Sequence, residues 1–330
     1  MEKHLSDMVI VGGGPTGLFG AYYAGMRGMS VTILDSLEVL GGQLATLYPE
    51  KYIYDVAGFP KVLAKDLVAE LVEQGLQYGP TVRLGERVGG LESIAHEGKP
   101  AYRLETNKGV YAARTVLISA GMGAFSPKRL PLKNARAYEG KGLYYFIQSI
   151  EPFRGKRVLI VGGGDSAVDW ANMLTDVTDK QILIHRRDGF RAHEDNVAKM
   201  RSGSTQIKVF YELKAIEGDG NIERAVIYDN RSKVSDTVLV DAVLVNIGFE
   251  SSLGPIKDWG LELKGSQIKV DSMMQTNRPG IFAAGDVTTY AGKLKLIVTG
   301  FSEAAIAANH AKHYLEPGAN IFPGHSTNLR

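Results

Sequence analysis

Cysteine is absent from all 330 residues. That absence removes disulfides, thiolate metal sites, cysteine-held iron–sulfur clusters, catalytic thiols and any dithiol relay within the chain. A charge excess is missing as well. The 38 Lys and Arg against 36 Asp and Glu leave a net +2, too even for bulk attraction to nucleic acid or an anionic membrane. No apolar run nears the roughly 20 residues of a membrane span. The first seven residues carry no signal-peptide core, and the apolar run after them breaks at once on Gly12, Gly13 and Gly14. A cytoplasmic protein without nucleic-acid or membrane partners is expected.

Glycine is abundant, at 39 of 330 residues against a usual share of about 7%, so it is serving backbone geometry. The length predicts two domains with cores large enough to need no covalent staple. Residues 8–11 read as a short buried strand, the glycines from Gly12 to Gly17 as a turn, 18–27 as a helix and 31–35 as a second strand. The pattern returns 150 residues later: a strand at 157–161, a turn from Gly162 to Ala167, a helix through Leu174 and a strand at 181–185. Two complete units argue for an α/β protein with two Rossmann-like dinucleotide-binding domains, each three-layered around a parallel sheet.

Alternating segments at 102–106 and 225–228 predict antiparallel β insertions forming peripheral sheets. Buried strands at 115–119 and 242–246 run into Gly121 and Gly248, where the chain is expected to change domain. This gives 1–120 with 249–330 as one domain and 121–248 as the other. A third element, 281–286, precedes a helix expected at about 301–314.

In Gly12-x-Gly14-x-x-Gly17, with Thr16 in the same turn, the first glycine permits the tight turn and the second lets a pyrophosphate approach the backbone. The third lets helix pack on strand, and the helix N-terminus faces the phosphates. Asp35, 23 residues after Gly12, can accept hydrogen bonds from a ribose. The second turn, Gly162-x-Gly164-x-x-Ala167 with Ser166, has His185 at that spacing, followed by Arg186, Arg187 and Arg191. A carboxylate would repel a 2′-phosphate, whereas guanidinium groups bind it, so this unit should select NADPH over NADH. An acid in one unit and arginines in the other imply two dinucleotides, and FAD with NADPH is the natural pair. One noncovalent FAD per chain is expected, since no cysteine exists for a thioether link. No set of metal ligands is evident, His310 and His313 lacking a third partner.

Here the sequence resembles the flavoproteins with two dinucleotide-binding domains, and among them the thioredoxin reductase branch, through residues 41–44, 185–192 and 280–286. It departs where those enzymes carry Cys-x-x-Cys, reading Tyr144-Tyr145-Phe146-Ile147-Gln148-Ser149 instead. It is more similar to the thioredoxin-reductase-like ferredoxin (or flavodoxin) NADP reductases, through residues 42–55, 164–171, 251–256 and 323–327. That resemblance implies that Tyr48 stacks on one flavin face and His325 on the other, with Asp35, Gln43, Val88, Phe125, Asp286 and Thr327 as further FAD contacts. It also implies hydride exchange with NADPH and single-electron exchange with a ferredoxin- or flavodoxin-type carrier. A homodimer is expected.

Hydride transfer to a flavin requires no side-chain acid or base. Asp286 follows a buried strand and a glycine, so its carboxylate can reach ribityl hydroxyls. A helix beginning near Gly300 would point its positive end at the flavin. Lys293 and Lys295 are candidates for a basic surface facing an acidic carrier. Two alternatives remain at this level: an NADPH-dependent flavin monooxygenase or oxidase, whose F-x-G-x-x-x-H fingerprint is not apparent here, and a non-enzymatic FAD/NADPH redox sensor.

Overall fold

The computed structural model describes residues 3–132, 134–147, 149–325 and 327, the side chains of 3, 4, 124–126 and 249–251 excepted. The chain forms two compact units, residues 1–124 with 251–330 and residues 125–250.

In the first unit the strand Lys3–Val11 is central, and Met8, Val9 and Ile10 are wholly buried, as expected of a parallel strand covered on both faces. It pairs in parallel with Val31–Leu34 on one side and Val110–Ile118 on the other, Met8 lying opposite Val31 and Thr115. Thr81–Arg83 extends the sheet beyond Val31–Leu34. On its edge away from Lys3–Val11, Val110–Ile118 is long enough to serve two partners. Its first half pairs antiparallel with Lys99–Thr106, which pairs with Val88–His96, and its last three residues pair in parallel with Ile281–Ala283. The segment at 102–106 is therefore antiparallel as expected but continues the main seven-stranded sheet instead of forming a peripheral one.

Helices Pro15–Met26, Ala64–Leu76 and Ile297–Leu315 contribute to the core on one face of this sheet, with Leu18, Ala21, Ala24, Leu67, Leu71, Ala304, Ala307, Ala308 and Ala311 buried there. The alanines let the last helix lie close against the first. On the other side Val9, Val11, Val116 and Ile118 form a second core cluster with Leu91 and Leu104 of the antiparallel strands and with Trp259 and Ile268.

The second unit carries a five-stranded parallel sheet in the order Leu143–Tyr144, Ala242–Asn246, Arg157–Gly162, Lys180–His185, Gln206–Val209. Strand residues alternate between faces. Ile160, Leu183 and Leu244 meet Val168, Ala171 and Leu174 of helix Asp165–Leu174. Leu159, Val161, Ile184 and Val243 meet Leu213, Ile216 and Ile227 of a three-stranded antiparallel sheet. That small sheet, Tyr211–Glu217, Arg224–Asp229 and Ser235–Leu239, is the separate insertion foreseen around 225–228. Lys3–Val11 in the first sheet and Arg157–Gly162 in the second thus have neighbours on both sides, and the carboxyl end of each marks the switch point at which α/β sheets take ligands.

Candidate cofactor sites

The first turn is built by close approach. Gly12 sits at φ +109°, and a Cβ there would lie 2.5 Å from the Ser119 carbonyl oxygen, while one on Gly17 would lie 1.9 Å from the Gly12 oxygen. These two positions admit no side chain for reasons internal to the fold. Gly14 differs, because a Cβ there would meet nothing nearer than Gly42 Cα at 3.8 Å. The protein leaves that space open at the N-terminus of helix Pro15–Met26, whose Pro15 takes the first position, where no N–H partner is needed.

Asp35 is buried at 6% exposure. It accepts from the Gly13 N–H at 2.6 Å and from the Leu37 N–H at 2.8 Å. Burial pushes its carboxyl up, against those two bonds, so further donors such as ribose hydroxyls would find it receptive. The Gly41 N–H donates to the Gly13 oxygen at 2.9 Å, which docks the short helix Gly42–Thr46 against the turn. Gln43 on that helix turns its carboxamide nitrogen towards Gly121, 3.4 Å from where a Cβ would stand. Val88 is buried at the start of its strand and packs with Val11 and Leu34.

Thr16 reaches the other side of the turn. Its hydroxyl oxygen lies 2.9 Å from the Cβ position of Gly285, which sits at φ +83°, and 2.4 Å from that of Gly300, so a side chain at either would displace Thr16. Gly285–Asp286 and the start of the last helix are thereby held beside the first turn. That helix begins at Ile297, not near Gly300, because the Thr299 hydroxyl accepts the Leu296 N–H at 3.3 Å and closes the end. Asp286 is half-buried, and among the described residues its carboxylate makes no hydrogen bond. Burial pushes it up, countered by the charges of Lys293 and Lys295. Tyr48, half-buried against the same core, has its hydroxyl pushed up to about 12 by burial and by the fields of Asp286 and Asp55. Tyr48 and Asp286 therefore share one environment.

Lys293 is not a surface lysine. Its side chain is 6% exposed and its ammonium pairs with Glu303 at 2.5 Å, so of the two proposed docking lysines only Lys295 is exposed. Glu303 also accepts from Tyr290 Oη at 2.6 Å and from the Gly285 N–H at 2.7 Å. Sequence reading missed it, although a lone acid in line with Ala304, Ala307 and Ala311 on an apolar helix face was a signal.

Phe125 belongs to strand Ala124–Pro127, and its side chain lies outside the described residues. His325 and Thr327 are exposed. The His325 ring meets Phe322 edge-on at 5.4 Å, and among the described residues no contact joins it to Tyr48. The preceding tail is fixed, since the Arg27 guanidinium donates to the oxygens of Asn320 at 2.7 Å and Ile321 at 3.1 Å.

The second turn repeats the first. Cβ atoms on Gly162 and Gly163 would lie 2.3 Å from the Asn246 oxygen and 2.3 Å from the His185 ring, whereas Gly164 has only the Arg191 oxygen at 3.8 Å. Ala167, wholly buried, already brings its Cβ to 3.0 Å from the Gly162 Cβ position. Ser166 is half-buried in the first turn of the helix that follows. The loop after strand Lys180–His185 folds back over the turn: Phe190 stacks on His185 at 5.3 Å, and the Arg191 N–H donates to the Gly163 oxygen at 2.8 Å. Arg186, Arg187 and Arg191 are exposed, and none of their guanidinium groups has a partner among the described residues. Burial first, and the charges of these three arginines after it, hold His185 below the usual imidazole range. The arrangement is a cationic rim around an open glycine.

A 480 Å³ cavity lined by Ser6, Thr32, Tyr78 and Tyr111 lies elsewhere, where the parallel strands begin. Ser6 and Thr32 bond each other at 2.8 Å and Tyr111 bonds Glu86, so those hydroxyls are already satisfied.

The sequence pattern of the pyridine nucleotide-disulphide oxidoreductases matches residues 6–310. The chain belongs to that family. It is 51% identical over 329 residues to a protein of Geobacillus kaustophilus named ferredoxin–NADP reductase, covering 99% of this chain and 98% of the relative. It is 50% identical, with 99% of each covered, to one of Shouchella clausii named ferredoxin–NADP reductase 2. Among solved structures, the T. acidophilum thioredoxin reductase superposes with a TM-score of 0.80 at 27% identity, over 96% of this chain and 100% of that one. The Lactococcus lactis thioredoxin reductase gives 0.79 at 25%, over 94% and 99%. The fold is that of thioredoxin reductase, with two dinucleotide-binding domains. The disulfide chemistry in the family's description is closed to a chain without cysteine. Among the described residues no helix is long and apolar enough to cross a membrane.

Proposed function

We propose that this chain is an FAD-dependent ferredoxin (or flavodoxin) NADP reductase. FAD sits in the unit that contains Asp35, NADPH binds in the unit that contains the arginines, and the enzyme works as a cytoplasmic homodimer. The observation that carries the reading is the pair of open middle glycines, Gly14 and Gly164, one beside a buried acid and the other beside three unpartnered arginines. The names of near full-length relatives at about half identity support it. FAD supplies the step from hydride to single electrons. The chain's own residues bind and orient: Gly14 leaves room for the pyrophosphate, Asp35 and Asp286 accept from hydroxyls, Tyr48 offers a ring face, and Gln43 and Val88 border the site. NADPH oxidation should be slow alone and accelerate on adding ferredoxin or flavodoxin. A rate indifferent to either carrier would make the chain an oxidase, and no NADPH turnover with any acceptor would make it a sensor.

Selection of NADPH is assigned to Arg186, Arg187 and Arg191. Charge-assisted hydrogen bonds contribute roughly 1.5–3 kcal/mol each, and about 1.4 kcal/mol is tenfold. Arg186→Ala with Arg187→Ala should raise the NADPH dissociation constant at least about tenfold and leave that of NADH within about twofold. Equal losses for both nucleotides would assign the arginines to structure.

The tail from His325 onward is assigned to covering a flavin face, with Thr327 as a further contact. Its anchor at Arg27 is the C-terminal cap of helix Pro15–Met26, about 18 Å of helix away from the glycine turn, which favours the partner subunit's flavin over its own. Truncation before His325 should leave FAD content unchanged while altering the rate of bleaching by NADPH and raising peroxide formation in air. Identical traces for truncated and full-length protein would return His325 to the surface.

A further inference from the structure

The two glycine turns differ in the residue that crowds their first glycine from the carboxyl end of the neighbouring strand. In the first unit this is Ser119, whose backbone oxygen crowds Gly12 and whose hydroxyl donates to the Gly12 oxygen at 2.9 Å. In the second it is Asn246, whose backbone oxygen crowds Gly162 in the same way and which lies opposite Gly162 in the sheet register. The Asn246 side chain does not follow suit. Its Oδ1 is shut off from solvent and has no hydrogen-bond partner among the described residues. The two other atoms in that condition, Tyr145 Oη and Gln181 Oε1, belong to residues that pair with neither glycine turn.

A buried acceptor without a donor costs stability, and such groups in a native fold call for an explanation in function or in an absent partner. The position supplies one. Ala242–Asn246 and Lys180–His185 flank Arg157–Gly162 on opposite sides, so Asn246 stands at the carboxyl-end crevice where the strand order reverses. We propose that Asn246 is a binding residue for the nicotinamide-side half of NADP, its Oδ1 accepting a hydrogen bond from a ribose hydroxyl of that half. The inference rests on the NADPH reading of this unit. The arginine rim on the His185 side draws the 2′-phosphate and with it the adenosine half. The remainder of the dinucleotide crosses the glycine turn towards the strand that ends at Asn246. Pyrophosphate oxygens are acceptors and cannot satisfy Oδ1, whereas ribose hydroxyls can.

Asn246→Ser is the informative variant, because Ser119 shows that serine suits this position and bonds the glycine carbonyl. Asn246→Ala is the second. FAD-loaded, full-length protein is titrated calorimetrically with NADP⁺ and with 2′,5′-ADP, which lacks the nicotinamide half. Both variants should bind NADP⁺ about tenfold more weakly, the loss of one hydrogen bond. They should bind 2′,5′-ADP within twofold of the parent and melt at or above its midpoint. Unchanged NADP⁺ affinity, equal weakening of both ligands, or a lowered midpoint in both variants would overturn the assignment of Asn246 alone. A parent protein that binds neither ligand would overturn the NADPH reading together with it.

Discussion

A valine at Gly14 is expected to leave a folded protein that retains no FAD. The backbone there is at φ −74° and ψ −176°, a conformation any residue adopts, and the nearest protein atom to a Cβ is 3.8 Å away. Nothing in the fold therefore demands glycine. What the side chain would fill is the space beside the first helix N–H groups, where a pyrophosphate binds. Overpacking costs about 1–3 kcal/mol and each lost charge-assisted hydrogen bond roughly 1.5–3 kcal/mol, so together they weaken affinity by at least about sixtyfold. Gly17→Val is the contrast. Its Cβ would overlap the Gly12 oxygen at 1.9 Å, so that variant should fail to fold. Flavin released by acid, measured against protein, with thermal melting of the flavin-free forms, checks both. Stoichiometric FAD in a folded Gly14→Val protein would remove the pyrophosphate from this turn.

The same distinction explains what was legible in the sequence. Gly12 and Gly17 announce the turn because strand and helix approach too closely for any side chain, and Asp35 is visible because its spacing from Gly12 follows from one turn, one helix and one strand. The repeat at Gly162 inherits that legibility, down to the alanine at 167. Features set by long-range contact were not visible. Residues 102–106 join the main sheet because Val110–Ile118 is long enough to pair with an antiparallel and a parallel partner at once. The last helix starts at Ile297 because the Thr299 side chain closes its end, while Gly300 is a glycine for Thr16, 284 positions earlier in the chain. Lys293 looked like a surface cation because its counter-charge, Glu303, sits ten residues on in a stretch that reads as apolar.

That buried pair carries the second large effect. Glu303→Ala should destabilise the flavin-free protein by about 3–5 kcal/mol, the usual cost of stripping one partner from a buried ion pair. Folded proteins hold only about 5–15 kcal/mol in total. Glu303 is 2% exposed and has three donors, the Lys293 ammonium, the Tyr290 hydroxyl and the Gly285 N–H. Alanine strands all three, and the ammonium dominates because a buried charge without a counter-charge is the costliest of them. Adding Lys293→Met to Glu303→Gln should recover most of the loss, since two uncharged side chains of similar volume replace the pair.

Site chemistry is coupled to this network. The Gly285 N–H held by Glu303 fixes the turn that presents Asp286, and Glu303 is among the charges that raise the Asp286 carboxyl, behind burial. A raised carboxyl contributes stability below the ordinary carboxylate range that is lost as pH rises through its folded value. Glu303→Gln should therefore weaken that loss, flattening the decline in flavin-free stability across the upper carboxylate range, while Glu303→Asp should keep the parent profile. Urea unfolding at a series of pH values measures both the size and the slope. A cost below about 1 kcal/mol for Glu303→Ala, the level of an exposed ion pair, would mean that Lys293 finds water and that the Gly285–Asp286 turn holds its shape without Glu303.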